Sequence, residues 1–133
     1  MNAEILEQAM ALAEHVRHLF VATVNAKGIP HLATAERIVL EGDDLVGVTA
    51  WFCPKTAENV DANANISVVI WDSERDVGFQ LVGEVTQVRD LAMLNGYMPE
   101  ETEPIPQIER KLVVKVCHIL KFSHAHHSDS ELT

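Results

Sequence analysis

Gly47-Val-Thr-Ala-Trp-Phe-Cys-Pro-Lys-Thr-Ala-Glu-Asn-Val-Asp-Ala-Asn-Ala-Asn-Ile-Ser-Val-Val-Ile-Trp71 is the stretch whose reading decides the fold. Its first residues finish a strand, and Ile66 to Trp71 form a second, β-branched run. Between them Pro54 suits the first position of a short helix, because it has no N–H to leave unpaired and its φ is already helical. That helix carries Lys55, Thr56 and Asn59 on its opening turn. Unpaired amides, a lysine and a hydroxyl at a helix start make a seat for a phosphate without any glycine-rich loop.

Upstream, Asn2 to Leu19 has helical periodicity in Ile5, Leu12, Val16 and Leu19, and predicts an amphipathic helix over one mouth of a sheet. Phe20 to Asn25 is a short strand, and Asn25-Ala26-Lys27-Gly28 is a turn in which glycine accepts a positive φ. His31 to Leu40 reads as one strand with neither face uniformly apolar, so part of it is expected to be wet or ligand-lined. Glu41 to Asp44 is a hairpin turn, and Leu45 to Ala50 returns as the third strand.

Downstream, Asp72 to Asp76 is a charged turn before a long strand, Val77 to Val88. Gly78 and Gly83 inside that strand mark a bulge or a close backbone approach. Asp90 is expected to cap a short helix, Leu91 to Tyr97, followed by a loop from Met98 to Ile108. Arg110 to Phe122 alternates, with Leu112, Val114, Val116, His118, Leu120 and Phe122 on one face. From Ser123 the tail is polar and expected to fray. The sum is a mainly β chain of about six antiparallel strands, curling into a small barrel as one domain.

The 133 residues, 47% hydrophobic, are enough for a real core. Ten basic against twenty acidic residues give a formal charge of −10, which argues against nucleic acid and anionic membrane surfaces as partners. The acidic start is unlike a signal peptide, and the two cysteines, Cys53 and Cys117, make no disulfide framework, so a cytoplasmic setting is expected. No nucleophile elbow or dinucleotide fingerprint is visible, and no catalytic side chain is assigned. The chemistry, if any, belongs to a cofactor.

Four segments together carry a resemblance. They are Phe20 to His31, with its Gly-x-Pro turn; Lys55-Thr-Ala-Glu-Asn-Val60; Asn63 to Val68; and Gln80-Leu-Val-Gly-Glu84. In this order and spacing the chain resembles the pyridoxamine 5'-phosphate oxidase-like, FMN-binding split-barrel superfamily, most of all its small bacterial FMN-binding proteins. The resemblance covers about Leu19 to Val88. It implies a six-stranded split barrel that works as a homodimer, with FMN in a groove between subunits and a small-molecule electron donor or acceptor. Lys55 and Thr56 match the phosphate-binding pair. Thr34, Ala35 and Glu36 match the segment beside the isoalloxazine and ribityl. Thr49, Ala50, Trp51 and Phe52 match the strand end running along the flavin. The C-terminal His-Ser-Asp-Ser-Glu-Leu-Thr lacks the basic segment of enzymes that oxidise pyridoxamine phosphate, so that activity is not expected. The resemblance leaves open whether the chain is an FMN-dependent oxidoreductase, an electron carrier, a barrel for deazaflavin or haem, or a cofactor-free dimeric module.

Each candidate has a plainer reading. Lys55 and Thr56 are otherwise a solvated first turn. Arg37 is either a second phosphate partner, gripping bidentately, or a surface charge paired with Glu36 or Glu41. Trp51 and Phe52 either stack on a ring or sit in a core or dimer interface. Cys53, just before a helix start, is expected to be a small buried side chain. His124, His126 and His127 lie in a tail without zinc spacing, and no metal site is expected. His15, His18, His31 and His118 are expected on the surface or satisfied in the core.

Overall fold

The computed structural model describes residues 2–51, 54–96, 105–124 and 131–133. Helix α1, Ala3–Val16, begins at Asn2, whose Oδ1 accepts the Glu4 amide at 2.9 Å. It ends at Arg17, left-handed at φ 60°, whose N–H returns to the Ala13 carbonyl at 2.8 Å. Helix geometry therefore stops short of Leu19, which opens β1, Leu19–Val24. Leu6, Ala9, Leu12 and Ala13 form the buried face of α1, with Ile5 and Val16 half-buried beside them. That face packs against β5 and β3, defined below, across the curl of the sheet.

The strands that follow are β2 (Pro30–Ala35), β3 (Arg37–Leu40), β4 (Leu45–Trp51), β5 (Asn65–Asp72), β6 (Val77–Gly96) and β7 (Ile105–Phe122), with α2 (Pro54–Ala62) between β4 and β5. They form one antiparallel sheet in the order β2-β1-β5-β6-β7-β4-β3, curled into a half-barrel. Val21, Val46, Val48, Val68, Leu81 and Val114 are fully buried on its inner face.

Seven strands replace the six expected, because His31 to Leu40 is not one strand. Pro30–Ala35 pairs with β1, whereas Arg37–Leu40 pairs with β4, at the other end of the sheet order. The turns match expectation. Gly28 sits at φ 82°, with the Lys27 and Ile29 amides donating to Asn25 Oδ1 at 2.8 and 2.9 Å. Asp72 closes the charged turn, accepting from Glu74 N, Arg75 N and Arg75 Nε at 3.1, 3.3 and 2.7 Å. The Arg75 hydrogen bonds hold the Asp72 carboxyl below the usual carboxylate range.

The helix expected over Leu91 to Tyr97 is absent as far as Gly96, and β6 runs on instead. Residues 93–96 pair with 108–105 of β7, so long-range backbone partners override local helix preference. The same pairing takes Ile105 to Ile108 out of the expected loop; Tyr97 and the loop's first half lie outside the described residues. Pro106 is accommodated because β4 pairs with β7 only from Glu109 onward.

The expected face of β7 holds only as far as Val116. Gly83 pairs with Val116 and Val82 with His118, so Cys117 is an extra, bulged residue. Beyond it the alternation inverts: His118 is exposed and Ile119 fully buried. Nor is the tail wholly frayed. The amide of Leu132 donates to the Ile119 carbonyl at 2.8 Å and the Ile119 amide to Thr133 O at 3.1 Å, while His118 pairs with Glu131. These contacts cover the edge of β7 past Lys115, where β4 has ended.

The bulge depends on Gly83. A Cβ there would lie 2.1 Å from the Lys115 carbonyl oxygen. Gly83→Ala should therefore destabilise by about 3 kcal/mol or more in chemical denaturation, since backbone and not a flexible side chain must move. Gly42→Ala is the control: its Cβ meets nothing nearer than 3.5 Å, and its stability should stay close to the wild type.

Candidate functional site

The chain switches sheet edges at Glu36, between a strand paired to β1 and one paired to β4. This brings β2 close to β4. In β3–β4 pairing Arg37 lies opposite Thr49; Ala50 and Trp51 follow, and α2 opens at Pro54 and Lys55. Helix α2 packs on β1 and β2. Thr34–Arg37, Thr49–Trp51 and Lys55–Thr56 are therefore gathered at one end of the half-barrel.

Their side chains do not all face a ligand. Ala35 and Ala50 are inner-face residues, 2% and 5% exposed, and contribute to the core. Thr34, Glu36, Arg37 and Lys55 are exposed. Thr49 is buried, and Thr56 is 0% exposed, so of the expected phosphate pair only the lysine reaches solvent in the single chain. Trp51 ends β4; Phe52 and Cys53 lie outside the described residues, as do His126 and His127.

Asn59 is turned inward. Its Nδ2 donates to Thr23 Oγ1 at 3.1 Å, a buried bond that ties α2 to β1. His31 stands opposite Thr23, and its buried Nδ1 has no hydrogen-bond partner among the described residues, contrary to a satisfied core histidine. His15 and His18 are exposed, within expectation, and His118 and His124 are exposed as well. Among the described residues no group of three or more His, Cys, Asp or Glu could hold a metal ion.

Two open grooves flank this end. One, of about 1130 Å³, lies between α1 and β3 and takes in Glu36 and Arg37 with Glu14, Arg17 and His18. The other, of about 650 Å³, lies between α2 and β6, with Glu58, Asp61 and an Asp90–Arg110 ion pair of 2.9 Å. Two cations escaped the sequence reading. Lys111 pairs with Thr49 across β4–β7, and Arg89 pairs with Lys111 across β6–β7. Lys111 Nζ donates to Glu41 Oε1 at 2.6 Å and holds that carboxyl below its usual range, with Arg89 assisting through space. The alternation of β7 could have marked Lys111 as outward, but no local pattern sets its register with β4.

This architecture, a curled antiparallel half-barrel with a short helix seated at its edge crossing, is that of a split-barrel protein. The family model for pyridoxamine 5'-phosphate oxidase matches residues 5–116, and the chain belongs to that family. No curated protein matches it. Among solved structures it is similar to HupZ of Group A Streptococcus, with TM-score 0.67, 19% identity, and 96% and 98% of the two chains covered. It is also similar to a pyridoxamine 5'-phosphate oxidase-related, FMN-binding protein of Nostoc punctiforme, with TM-score 0.65, 12% identity and coverages of 93% and 86%. HutZ, the haem storage protein of Vibrio cholerae, aligns with TM-score 0.55, 13% identity, and 95% and 100% covered. At such identities these likenesses establish the fold alone, and the ligands that these proteins' names give, FMN and haem, differ. Among the described residues no helix is long and apolar enough to cross a membrane.

The anchoring of α2 is testable apart from any ligand. Asn59→Ala leaves Thr23 Oγ1 buried without its donor and should cost about 1–3 kcal/mol in chemical denaturation. Lys55→Ala, at an exposed position, should stay within about 0.5 kcal/mol of the wild type.

Proposed function

We propose that this chain is an FMN-binding protein that passes electrons between a small-molecule donor and acceptor, and that it works as a homodimer. The observation that carries the reading is the convergence of the β2–β3 crossing, the end of β4 and the first turn of α2 at one end of the half-barrel. The exposed Lys55 and the N–H groups of the first turn of α2 suit a phosphate, with the exposed Arg37 as a second partner. Thr34, Ala35, Glu36, the strand end Thr49 to Trp51, and Phe52 after it in sequence are the positions assigned to the flavin body. Bound flavin supplies the redox chemistry; the chain's residues bind it, orient it and set its electrostatics. Membership of a family that includes an FMN-binding relative supports the cofactor.

Purified protein should be yellow, and protein stripped of cofactor should take up FMN with flavin absorbance; a Soret band in its place would mark haem and defeat the reading. Lys55→Ala should weaken FMN by about 10- to 100-fold, because a hydrogen bond to a charged phosphate is lost. Riboflavin, without the phosphate, should be affected far less. Equal losses for both would make the effect structural.

The homodimer rests on the open edges of the half-barrel, which a two-fold partner covers on both subunits. Light scattering at micromolar concentration should give about twice 14.8 kDa. A monomer would refute a groove shared between subunits.

A further inference from the structure

The outer edge of β7 changes neighbour at Lys115. Strand β4 pairs with β7 up to Leu45 and Lys115, and the Val116 amide donates to the Asp44 carbonyl at 2.8 Å. Past that point, among the described residues, the edge is lined by residues 131–133 of the same chain. Ile119 turns both its backbone groups to this edge. Its amide donates to Thr133 O at 3.1 Å, and its carbonyl accepts from the Leu132 amide at 2.8 Å. The other edge of β7 is taken by β6 as far as Phe122.

This cover is thin. Leu132 is 42% exposed, so its side chain adds little burial. The His118–Glu131 pair joins side chains that are 57% and 56% exposed, and an ion pair so open to water adds little. The two hydrogen bonds to Ile119 are therefore what holds residues 131–133 in place.

Uncovered, the same edge suits a copy of itself. In an antiparallel pair, a residue with both groups on the shared edge exchanges both bonds with the residue opposite. A second chain related by a two-fold axis at Ile119 meets that requirement, Ile119 against Ile119. This register sets Cys117 opposite Lys121 and His118 opposite Leu120, so no cation stands directly opposite another. The pairing stops at Cys117, because Asp44 already holds the Val116 amide. The charges that flank it are of both signs: Lys115 with Glu84 opposite on β6, and Asp43 and Asp44 in the β3–β4 turn.

We propose that residues 131–133 are a strap on β7, which keeps the Cys117–Lys121 edge from joining the same edge of a second copy, sheet to sheet. The strap satisfies both Ile119 groups within the chain and so withdraws the template. It acts with or without flavin, and its effect is read against whatever assembly the wild type forms.

Leu132→Pro removes one of the two bonds, since proline has no N–H, and Leu132→Ala keeps that bond while losing the same side chain. Light scattering over a range of concentrations should show Leu132→Pro growing towards about twice the wild-type mass, with Leu132→Ala unchanged. At low concentration the Ile119 amide of Leu132→Pro should exchange with solvent about 10-fold faster or more, followed by NMR. The amides of Leu81 and Val82 on β6 should keep their wild-type rates, which confines the loss to the edge. In the larger species a short amine-to-thiol cross-linker should join Cys117 of one copy to Lys121 of another, mapped by mass spectrometry on mixed labelled and unlabelled chains. The proposal is overturned if Leu132→Pro keeps the wild-type mass at every concentration, or if its Ile119 amide stays as protected as in the wild type. It is equally overturned if Leu132→Ala associates as strongly, or if the larger species carries no Cys117–Lys121 link. Faster exchange at Leu81 and Val82 as well would make the effect general unfolding, and would overturn the strap.

Discussion

The structure depends on one constraint: a single extended run, Pro30 to Leu40, is shared between opposite ends of the sheet. Its first half completes β1 and its second half completes β4, with Glu36 as the only residue between them. A peptide link of that length cannot span a flat sheet of seven strands, which would separate its outermost members by about 29 Å at the usual strand spacing. The sheet must therefore curl until its edges nearly meet. The core and the gathering of the candidate site residues follow from that closure.

Two further devices keep the curl. Gly83 lets β6 approach β7 at the Lys115 carbonyl, and the bulged Cys117 turns the rest of β7, so Ile119 enters the core. At the other side the buried Asn59–Thr23 hydrogen bond seats α2 on β1. A buried amide without such a partner would cost more than the bond contributes, so α2 has little freedom to shift. Lys55 is held at the start of a fixed element and not on a loose loop.

Charge is distributed against the average of the chain. An acidic protein repels anions at a distance, so any phosphate-bearing ligand needs cations concentrated locally. Register brings basic residues from distant parts of the chain side by side: Lys111 stands opposite Arg89 and opposite Thr49, which in turn faces Arg37. Glu41 moderates the field by pairing with Lys111 over Gly47. Solved structures whose names give different ligands share this half-barrel, so the fold by itself does not choose the ligand.

Local chemistry was legible in the sequence wherever neighbours in the chain decide the outcome. The α1 periodicity, the Gly28 turn, the Asp72 turn and the Pro54 helix start all follow from φ preferences and hydrogen bonds within a few residues. The resemblance carried by Lys55 to Val60 and its companion segments pointed to the family, which the matched residues bear out. Long-range pairing was not legible. Residues 91 to 96 have helical composition yet extend β6, because β7 offers backbone partners that no local pattern records. Likewise Ile119 enters the core and His118 leaves it only because one residue bulges opposite Gly83. Thr56, whose hydroxyl reads as a ligand group, is buried by packing, while Lys111 and Arg89 become neighbours of Thr49 only through register. Register is a property of two strands together, and tertiary structure alone decides it.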